Sequence, residues 1–214
     1  MQYKQTKKLF YGTYQYKLVL VCVGAGWFRN KDWDYTANML SKVDIAKNAA
    51  QHAHLSRYNG VVIRTKEDLD YALNLLKVLR KLDDIDLRVE SPWISLYTNT
   101  EKNIDVVTKI DESRIKYVCV PTKGSNLQEG TIILPKVDFE YRVTMGRTLQ
   151  NYSTFVNWAD TSTKLKLTKT CRKQLSSPSS WGGSYFYVTG DKNLMMTKMH
   201  LGGTIAKIER VAKN

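Results

Sequence analysis

The stretch Leu134–Met145, LPKVDFEYRVTM, decides the fold because an earlier stretch repeats its pattern. Leu9–Leu20 reads LFYGTYQYKLVL, and a shift of 125 positions aligns the two stretches. The shift pairs residues of like type: Leu9 with Leu134, Tyr14 with Phe139, Tyr16 with Tyr141, Lys17 with Arg142, Leu18 with Val143, and Leu20 with Met145. Matches of type at one fixed offset predict an internal duplication.

The same shift continues beyond this strand. It carries Trp33 onto Trp158, Thr36 onto Thr161, Leu40 onto Leu165, Val61 onto Phe186, Ile63 onto Val188, and Leu69 onto Leu194. The alignment predicts a first α+β repeat at 9–90 and a second, basic α+β repeat at 134–214. It leaves a mobile basic lead at 1–8, an acidic βαβ insert at 91–121 and a polar linker at 122–133.

Three segments share the pattern strand, threonine, helix, strand: 61–89, 94–120 and 185–211. In the first of them, Thr65 is predicted to cap a helix at 67–82. Such units predict helices that pack on sheets through right-handed crossovers. Two further strands, at 14–23 and 137–145, complete the repeats. The predicted fold class is α+β, with internally duplicated ferredoxin-like modules and a βαβ insert between them.

The composition excludes several classes of protein. Hydrophobic residues make up 43% of the chain and charged residues 25%, which is typical of a soluble globular protein and not of a disordered one. No apolar run approaches the ~20 residues that cross a bilayer, and the start lacks the apolar region of a signal peptide. The three cysteines show no CxxC spacing, which predicts reduced thiols, a cytoplasmic location and no metal or cofactor.

The net charge of +13 is unevenly distributed. Residues 142–214 hold twelve Lys and Arg against three Asp and Glu, whereas residues 83–112 hold three against eight. This asymmetry predicts an anionic partner for the second repeat and a protein partner for the acidic insert. The alternative is a solvated basic surface that keeps the protein soluble.

Strand aromatics beside cations indicate nucleic acid as the anionic partner. Tyr14 and Tyr16 are predicted to lie on one face of their strand, with Lys17 on the other face. Phe139 and Tyr141 repeat this arrangement with Arg142 opposite, and Tyr185 and Tyr187 are a further aromatic pair. Ferredoxin-like RNA-binding modules hold unstacked bases on such a sheet face. The alternative is that these rings fill the face on which the helices pack. No K/R-G-F/Y-G/A-F consensus is present.

The densest basic run is predicted to follow a phosphate backbone. Its cations are Lys164, Lys166, Lys169, Arg172 and Lys173. Lys164 and Lys166 alternate with leucines, which predicts a strand with one basic face. Trp181 lies in the polar stretch 170–184, which is predicted to be a mobile loop. An exposed tryptophan beside cations is typical of base stacking, although tryptophans also anchor loops.

Catalytic patterns are few. His52 and His54 have the H-x-H form of rolling-circle nucleases, and Tyr71 on a helix is the matching nucleophile. However, the surrounding alanine-rich run predicts a helix, in which residues two apart cannot share a metal. We therefore expect no catalytic or metal site and a non-enzymatic protein that binds single-stranded nucleic acid or RNA. The main alternative is a protein-interaction or assembly role, as in a virus or mobile element, although the sequence carries no direct sign of that origin.

Overall fold

A computed structural model describes residues 2–49, 56–58, 61–63, 65–122 and 127–213. The chain divides into two compact units, Met1–Lys123 and Gly124–Asn214. Both contain helices packed on a five-stranded sheet, so the α+β class is confirmed. Within the described ranges, no helix combines the length and apolar character that a membrane span requires.

The first unit is built on a mixed sheet. Its elements are β1 (Tyr3–Thr6), β2 (Tyr16–Val21), a 3₁₀ segment (Ala25–Lys31), α1 (Trp33–Ala49), β3 (Ser56–Tyr58), β4 (Val61–Ile63), α2 (Lys66–Leu79), β5 (Ile85–Glu90), β6 (Trp93–Thr98), α3 (Glu101–Thr108), a 3₁₀ turn (Glu112–Arg114) and β7 (Ile115–Pro121). The strand order is β1, β7, β2, β6, β5. Only β1 and β7 are parallel, and the other neighbours are antiparallel.

The core of the first unit lies on one side of its sheet. Leu18 and Leu20 of β2 are fully buried against the helices, and residues of β6 and β7 join them in one apolar cluster. Helix α2 begins where the sequence predicts, because the side chain of Thr65 accepts a hydrogen bond from the Asp68 N–H at 3.1 Å.

The second unit has a sheet of the same kind. Its elements are β8 (Thr131–Ile133), β9 (Tyr141–Met145), α4 (Ser153–Thr161), β10 (Leu165–Leu167), α5 (Lys169–Ser176), β11 (Tyr185–Val188), α6 (Asp191–Leu201), a 3₁₀ turn (Gly202–Thr204) and β12 (Ile205–Ala212). The order is β10, β11, β9, β12, β8, with β8 and β12 parallel and the other neighbours antiparallel. Val143 and Met145 are fully buried in its core cluster.

The two sheets match strand by strand and in register. Lys17 in β2 lies opposite Tyr97 and Cys119, and Arg142 in β9 lies opposite Tyr187 and Glu209. The register also shifts by one residue at corresponding positions, in the pairing of β2 with β7 and in that of β9 with β12. Equal order, direction and register indicate a duplication.

The repeat boundaries differ from those expected from a constant shift. The shift of 125 relates β2 to β9, but a shift of 90 relates β6, α3 and β7 to β11, α6 and β12. Residues 91–121 are thus not an insert, because β6 and β7 flank the central strand β2. Strand β4, which the constant shift placed on β11, pairs with β3 in a separate two-stranded sheet.

Three segments expected to lack regular structure contain it. The lead forms β1, which pairs with β7, and the expected linker contains β8, which pairs with β12. The expected loop at 170–184 begins with α5, whose N-terminus is capped by the Thr168 hydroxyl. The sequence does not indicate α5 because most of its residues are polar. Its buried residues are Cys171, Leu175 and the polar Gln174.

Candidate nucleic-acid interface

The second sheet has two chemically different faces. Val143, Phe186 and Val188 point into the core, and the alternation of the strands turns Arg142 and Tyr187 to the opposite side. We call this side the outer face; its residues are Arg142, Thr144, Lys166, Tyr185, Tyr187, Lys207 and Glu209. It combines aromatic rings with cations.

Strand register places four of these side chains in one row. Lys166 in β10 lies opposite Tyr187 in β11, which lies opposite Arg142 in β9, which lies opposite Glu209 in β12. Side chains at directly opposite positions of antiparallel strands are about 4.5–5.5 Å apart at Cβ. The fold therefore brings together Lys166, Tyr187 and Arg142, three of the candidate residues.

The aromatic rings of this face touch one another. Tyr185 and Tyr187 pack edge to face with ring centres 5.6 Å apart, and Phe139 stacks on Tyr187 at 5.7 Å. Tyr185 is 36% exposed. Burial and the adjacent Tyr185 raise the pKa of Tyr187, so its hydroxyl stays protonated at neutral pH. The platform is thus uncharged and partly open to solvent.

Arg142 is held by a carboxylate. Its guanidinium donates hydrogen bonds to Glu209 at 3.0 Å and 2.5 Å and lies 5.3 Å from the ring centre of Tyr185. Lys207 contacts the other oxygen of Glu209 at 3.1 Å. The sequence interpretation missed Glu209 and Lys207, although their alternation with Ile208 in the last strand was a readable signal. The guanidinium of Arg142 is thus paired with Glu209 and lies beside the Tyr185 ring.

The structure divides the basic run. Lys166 lies on the outer face, and Lys164 lies in the turn before β10. Lys169 and Lys173 are exposed on α5, a helix that packs on the core side of the sheet. Arg172 forms a double hydrogen bond with Asp160 of α4, which lowers the pKa of that carboxyl. The five cations therefore do not form one basic strand face.

Trp181 is exposed, as the sequence interpretation expects, with 81% of its surface open to solvent. It borders a shallow cleft of about 230 Å³ that Lys173 also lines. The adjacent Gly182 runs against the backbone of Gly146, and Ser179 pairs with Thr148. The loop that carries the indole is thus attached to the unit on both sides of the ring.

The first unit covers the equivalent position. Tyr97, the counterpart of Tyr187, lies opposite Lys17 but is only 3% exposed. The rings of Phe10, Tyr11 and Tyr14 pack around it at 4.9–6.2 Å. The aromatic platform of the first unit is therefore occupied by the unit's own chain.

The paired strand aromatics do not share a face. Tyr14 contacts Tyr97, which lies on the side of Lys17, whereas Tyr16 packs against the core. Phe139 stacks on Tyr187 of the outer face, and Tyr141 packs against the core of the second unit. Tyr14 and Phe139 precede their strands, so the chain is not extended between the two members of each pair. For this reason a spacing of two residues does not place them on the same side of the sheet.

The nuclease alternative receives no support from the described residues. His52 and His54 lie outside them. Tyr71 is buried in α2 beneath the guanidinium of Arg114, 4.7 Å from its ring centre, and its hydroxyl has no hydrogen-bond partner. Burial raises the pKa of Tyr71, which opposes ionisation of this hydroxyl to a nucleophile. Within the described ranges, no cluster of His, Cys, Asp and Glu could hold a metal ion.

Comparisons of the chain with protein-family profiles, curated proteins and solved structures find no match. Its function is therefore inferred from the geometry of these surfaces.

Proposed function

We propose that the second unit binds nucleic acid, single-stranded or RNA, on the outer face of its sheet. The observation that carries the proposal is the row formed by Lys166, Tyr187 and Arg142, with the exposed Tyr185 beside it. Stacking on aromatic rings contributes about 1–3 kcal/mol per base and accepts any base. The role is binding without catalysis.

The topology supports a ferredoxin-like assignment for both units. Without their parallel edge strands, the sheets have the orders β7, β2, β6, β5 and β12, β9, β11, β10. If the four strands are counted in chain order, the first and the third are central in each sheet, and all neighbours are antiparallel. Helices connect the first strand to the second and the third to the fourth. This order supports the proposed βαββαβ arrangement, to which β3, β4 and α2 are additions in the first unit and α5 is an addition in the second.

RNA-recognition modules of this topology use the sheet face away from the helices to stack two or three bases. Tyr185 and Tyr187 lie on that face, on the central strand β11. In this arrangement the two tyrosines and Phe139 hold bases, and Lys166 at the sheet edge neutralises a phosphate. Arg142 orients Tyr185 and shares the charge of Glu209 with Lys207.

The charge of the second unit is consistent with this role. It contains thirteen Lys and Arg against six Asp and Glu, a net charge of +7. Three of the six acids are paired with cations of the same unit, namely Asp138 with Lys213, Asp160 with Arg172, and Glu209 with Arg142. Trp181, Lys169 and Lys173 provide a second contact area. The first unit acts as a scaffold, since its own rings cover Tyr97.

Cytoplasmic location is part of the proposal. Cys22, Cys119 and Cys171 are all buried, free thiols, as in proteins of reducing compartments. The competing function is protein interaction through the acidic stretch 83–112. The two differ in salt dependence, since phosphate contacts release counterions and protein contacts need not.

The test is fluorescence anisotropy of labelled single-stranded RNA and DNA 12-mers with the full chain at several salt concentrations. Tyr185→Leu with Tyr187→Leu should weaken binding by roughly 1–3 kcal/mol per stacked base, with the salt slope unchanged. Lys166→Gln should flatten that slope by about 0.7. Lys102→Gln, an exposed lysine of α3 in the first unit, is the matched control. Unchanged affinity in the tyrosine variant would exclude the outer face as the binding surface.

A further inference from the structure

Helix α6 presents an apolar stripe to solvent. Met195 is 66% exposed and Met199 72% exposed, and Met196 lies on the same side of the helix. The opposite side of α6 carries Leu194 and Leu201, which are buried in the core. The methionines are therefore not the core filling that a short methionine-rich helix would suggest.

The stripe continues into a cleft. Met199, His200 and Leu149 line a depression of about 720 Å³, together with Arg147 and the turn Gly202–Thr204. Leu149 is 86% exposed. Contiguous exposed apolar side chains beside a depression mark an interaction site more often than an incidental surface. Methionine is suited to such a site because its flexible side chain adapts to different partners.

The duplicated helix shows that the fold does not require these methionines. The shift of 90 aligns α3 with α6, where Lys102 meets Lys192 and Asn103 meets Asn193. At the positions of Met195 and Met199, the first unit carries Asp105 of α3 and Lys109, the residue that follows this helix; both are exposed. The positions of Met195 and Met199 are thus charged in the first unit, whereas that of Met196 is occupied by the apolar Val106. The fold therefore does not require apolar side chains at Met195 and Met199.

The charges around the stripe identify the kind of partner. Arg147 lines the cleft, and Lys192 and Lys198 lie on α6 beside the methionines. Asp191, at the start of the helix, accepts a hydrogen bond from the Tyr141 hydroxyl at 2.5 Å. A second copy of this basic face would be repelled. A bilayer is flat and would leave the cleft unfilled, whereas a helix side chain can enter it.

We propose that the stripe Met195, Met196 and Met199, with Leu149 and its cleft, docks an acidic amphipathic helix of a partner protein. Leucine-like side chains at i, i+3, i+4 and i+7 of that helix contact the methionines and fill the cleft. Its flanking carboxylates face Arg147, Lys192 and Lys198. This surface lies on the helix side of the second unit, opposite the outer face, so both ligands fit at once.

The probe is a fluorescein-labelled 18-residue helical peptide with leucines at that spacing and glutamates elsewhere. A peptide of the same composition with dispersed leucines is the control. The full chain should bind the patterned peptide at least tenfold more tightly. The double variant Met195→Asp, Met199→Lys, which copies the first unit, should lose at least tenfold in affinity while the thermal unfolding midpoint and 12-mer RNA binding stay unchanged. Leu149→Gln should also lower the affinity for the patterned peptide.

Equal binding of the two peptides, no binding in the micromolar range, or full affinity in the double variant would overturn the proposal. Binding of phosphatidylglycerol vesicles that the double variant abolishes, without binding of the patterned peptide, would overturn it in favour of a membrane surface. Loss of RNA binding in the double variant would place the stripe in the nucleic-acid surface instead and equally contradict it.

Discussion

Arg142 and Glu209 form an ion pair in the middle of the second sheet, with the guanidinium 2.5 Å and 3.0 Å from one carboxylate oxygen. The Glu209 side chain is 1% exposed and that of Arg142 18%. The pair fixes the guanidinium 5.3 Å from the Tyr185 ring centre. One interaction thus links β9, β12 and the aromatic platform on β11.

Glu209→Gln should destabilise the second unit. The substitution leaves the half-buried Arg142 without a charged partner, a change that costs up to 3–5 kcal/mol for fully buried pairs. Because Arg142 keeps some contact with water, we expect a loss of about 2 kcal/mol in urea-induced unfolding. Asp160→Asn, which breaks an exposed pair, is the control and should lose less. An equal loss in both variants would contradict the prediction that the Arg142–Glu209 pair stabilises the second unit more than the exposed Arg172–Asp160 pair.

Tyr71→Phe should leave the fold intact and stabilise it. The buried hydroxyl has no hydrogen-bond partner, and an unsatisfied buried hydroxyl costs about 1–3 kcal/mol. We expect a gain of about 1 kcal/mol in the free energy of unfolding. The same variant tests the nuclease alternative, since a Mn²⁺-dependent cleavage of single-stranded DNA that Tyr71→Phe abolishes would revive it.

Gly182→Ala should destabilise the second unit through a steric clash. A Cβ at this position would lie 2.9 Å from the carbonyl carbon of Gly146 and 3.0 Å from its Cα, and backbone atoms cannot move aside cheaply. The expected loss is about 1–3 kcal/mol in thermal unfolding. Gly203→Ala meets nothing within 4 Å and is the matched control. If both variants unfold at the same temperature, the backbone segments at Gly182 and Gly146 are not packed tightly against each other.

The Cys22 thiol should make stability depend on pH in the alkaline range. Burial raises its pKa to about 12 in the folded protein, whereas the unfolded thiol has an ordinary value near 8.5. The contribution of this thiol to the free energy of unfolding is fully present below about pH 8.5 and is lost as the pH rises toward 12, because the thiol of the unfolded state releases its proton first. Cys22 alone should contribute a slope of about 1.4 kcal/mol per pH unit, so the slope of Cys22→Ala should be smaller by that amount. A slope remains in both proteins, because burial also raises the pKa of Cys171, to about 11. Identical slopes in the two proteins would refute the burial argument.

Trp181→Ala should separate affinity from stability. The indole is 81% exposed, so we expect a change of no more than about 0.5 kcal/mol in unfolding. If a base stacks on it, affinity for a single strand should fall by roughly 1–3 kcal/mol with little change in salt slope. The measurement is anisotropy with strands longer than the outer face can hold. Unchanged affinity would restrict binding to Tyr185 and Tyr187.

Local patterns in the sequence were sufficient for the central strands and for α2, but not for β1, β8 and α5. The alternation in YQYKLVL and EYRVTM, with a cation before each apolar run, predicts β2 and β9 and relates them by the correct shift. Thr65 and the apolar spacing of α2 predict a capped helix where one is found. These features depend on neighbours along the chain, which a sequence displays directly.

The second half of each repeat could not be aligned from one shift. The connection between β2 and β5 is longer than that between β9 and β10, since it also holds β3, β4 and α2. A length difference inside a repeat moves everything that follows it, so β6 and β7 resembled an insert. Only strand pairing shows that they flank β2 as β11 and β12 flank β9.

The sequence by itself determined that the chain is α+β, duplicated, basic and rich in strand aromatics. Composition and periodicity can be read directly from the sequence, because they do not depend on contacts between distant residues. The tertiary structure alone decided which aromatics are accessible. Tyr97 and Tyr187 have the same register beside a cation, yet the rings of residues 10–14 cover one, while Tyr185 beside the other remains exposed. Exposure depends on segments that meet only in the folded chain, and so does the pairing of Arg142 with Glu209, which are 67 residues apart in sequence.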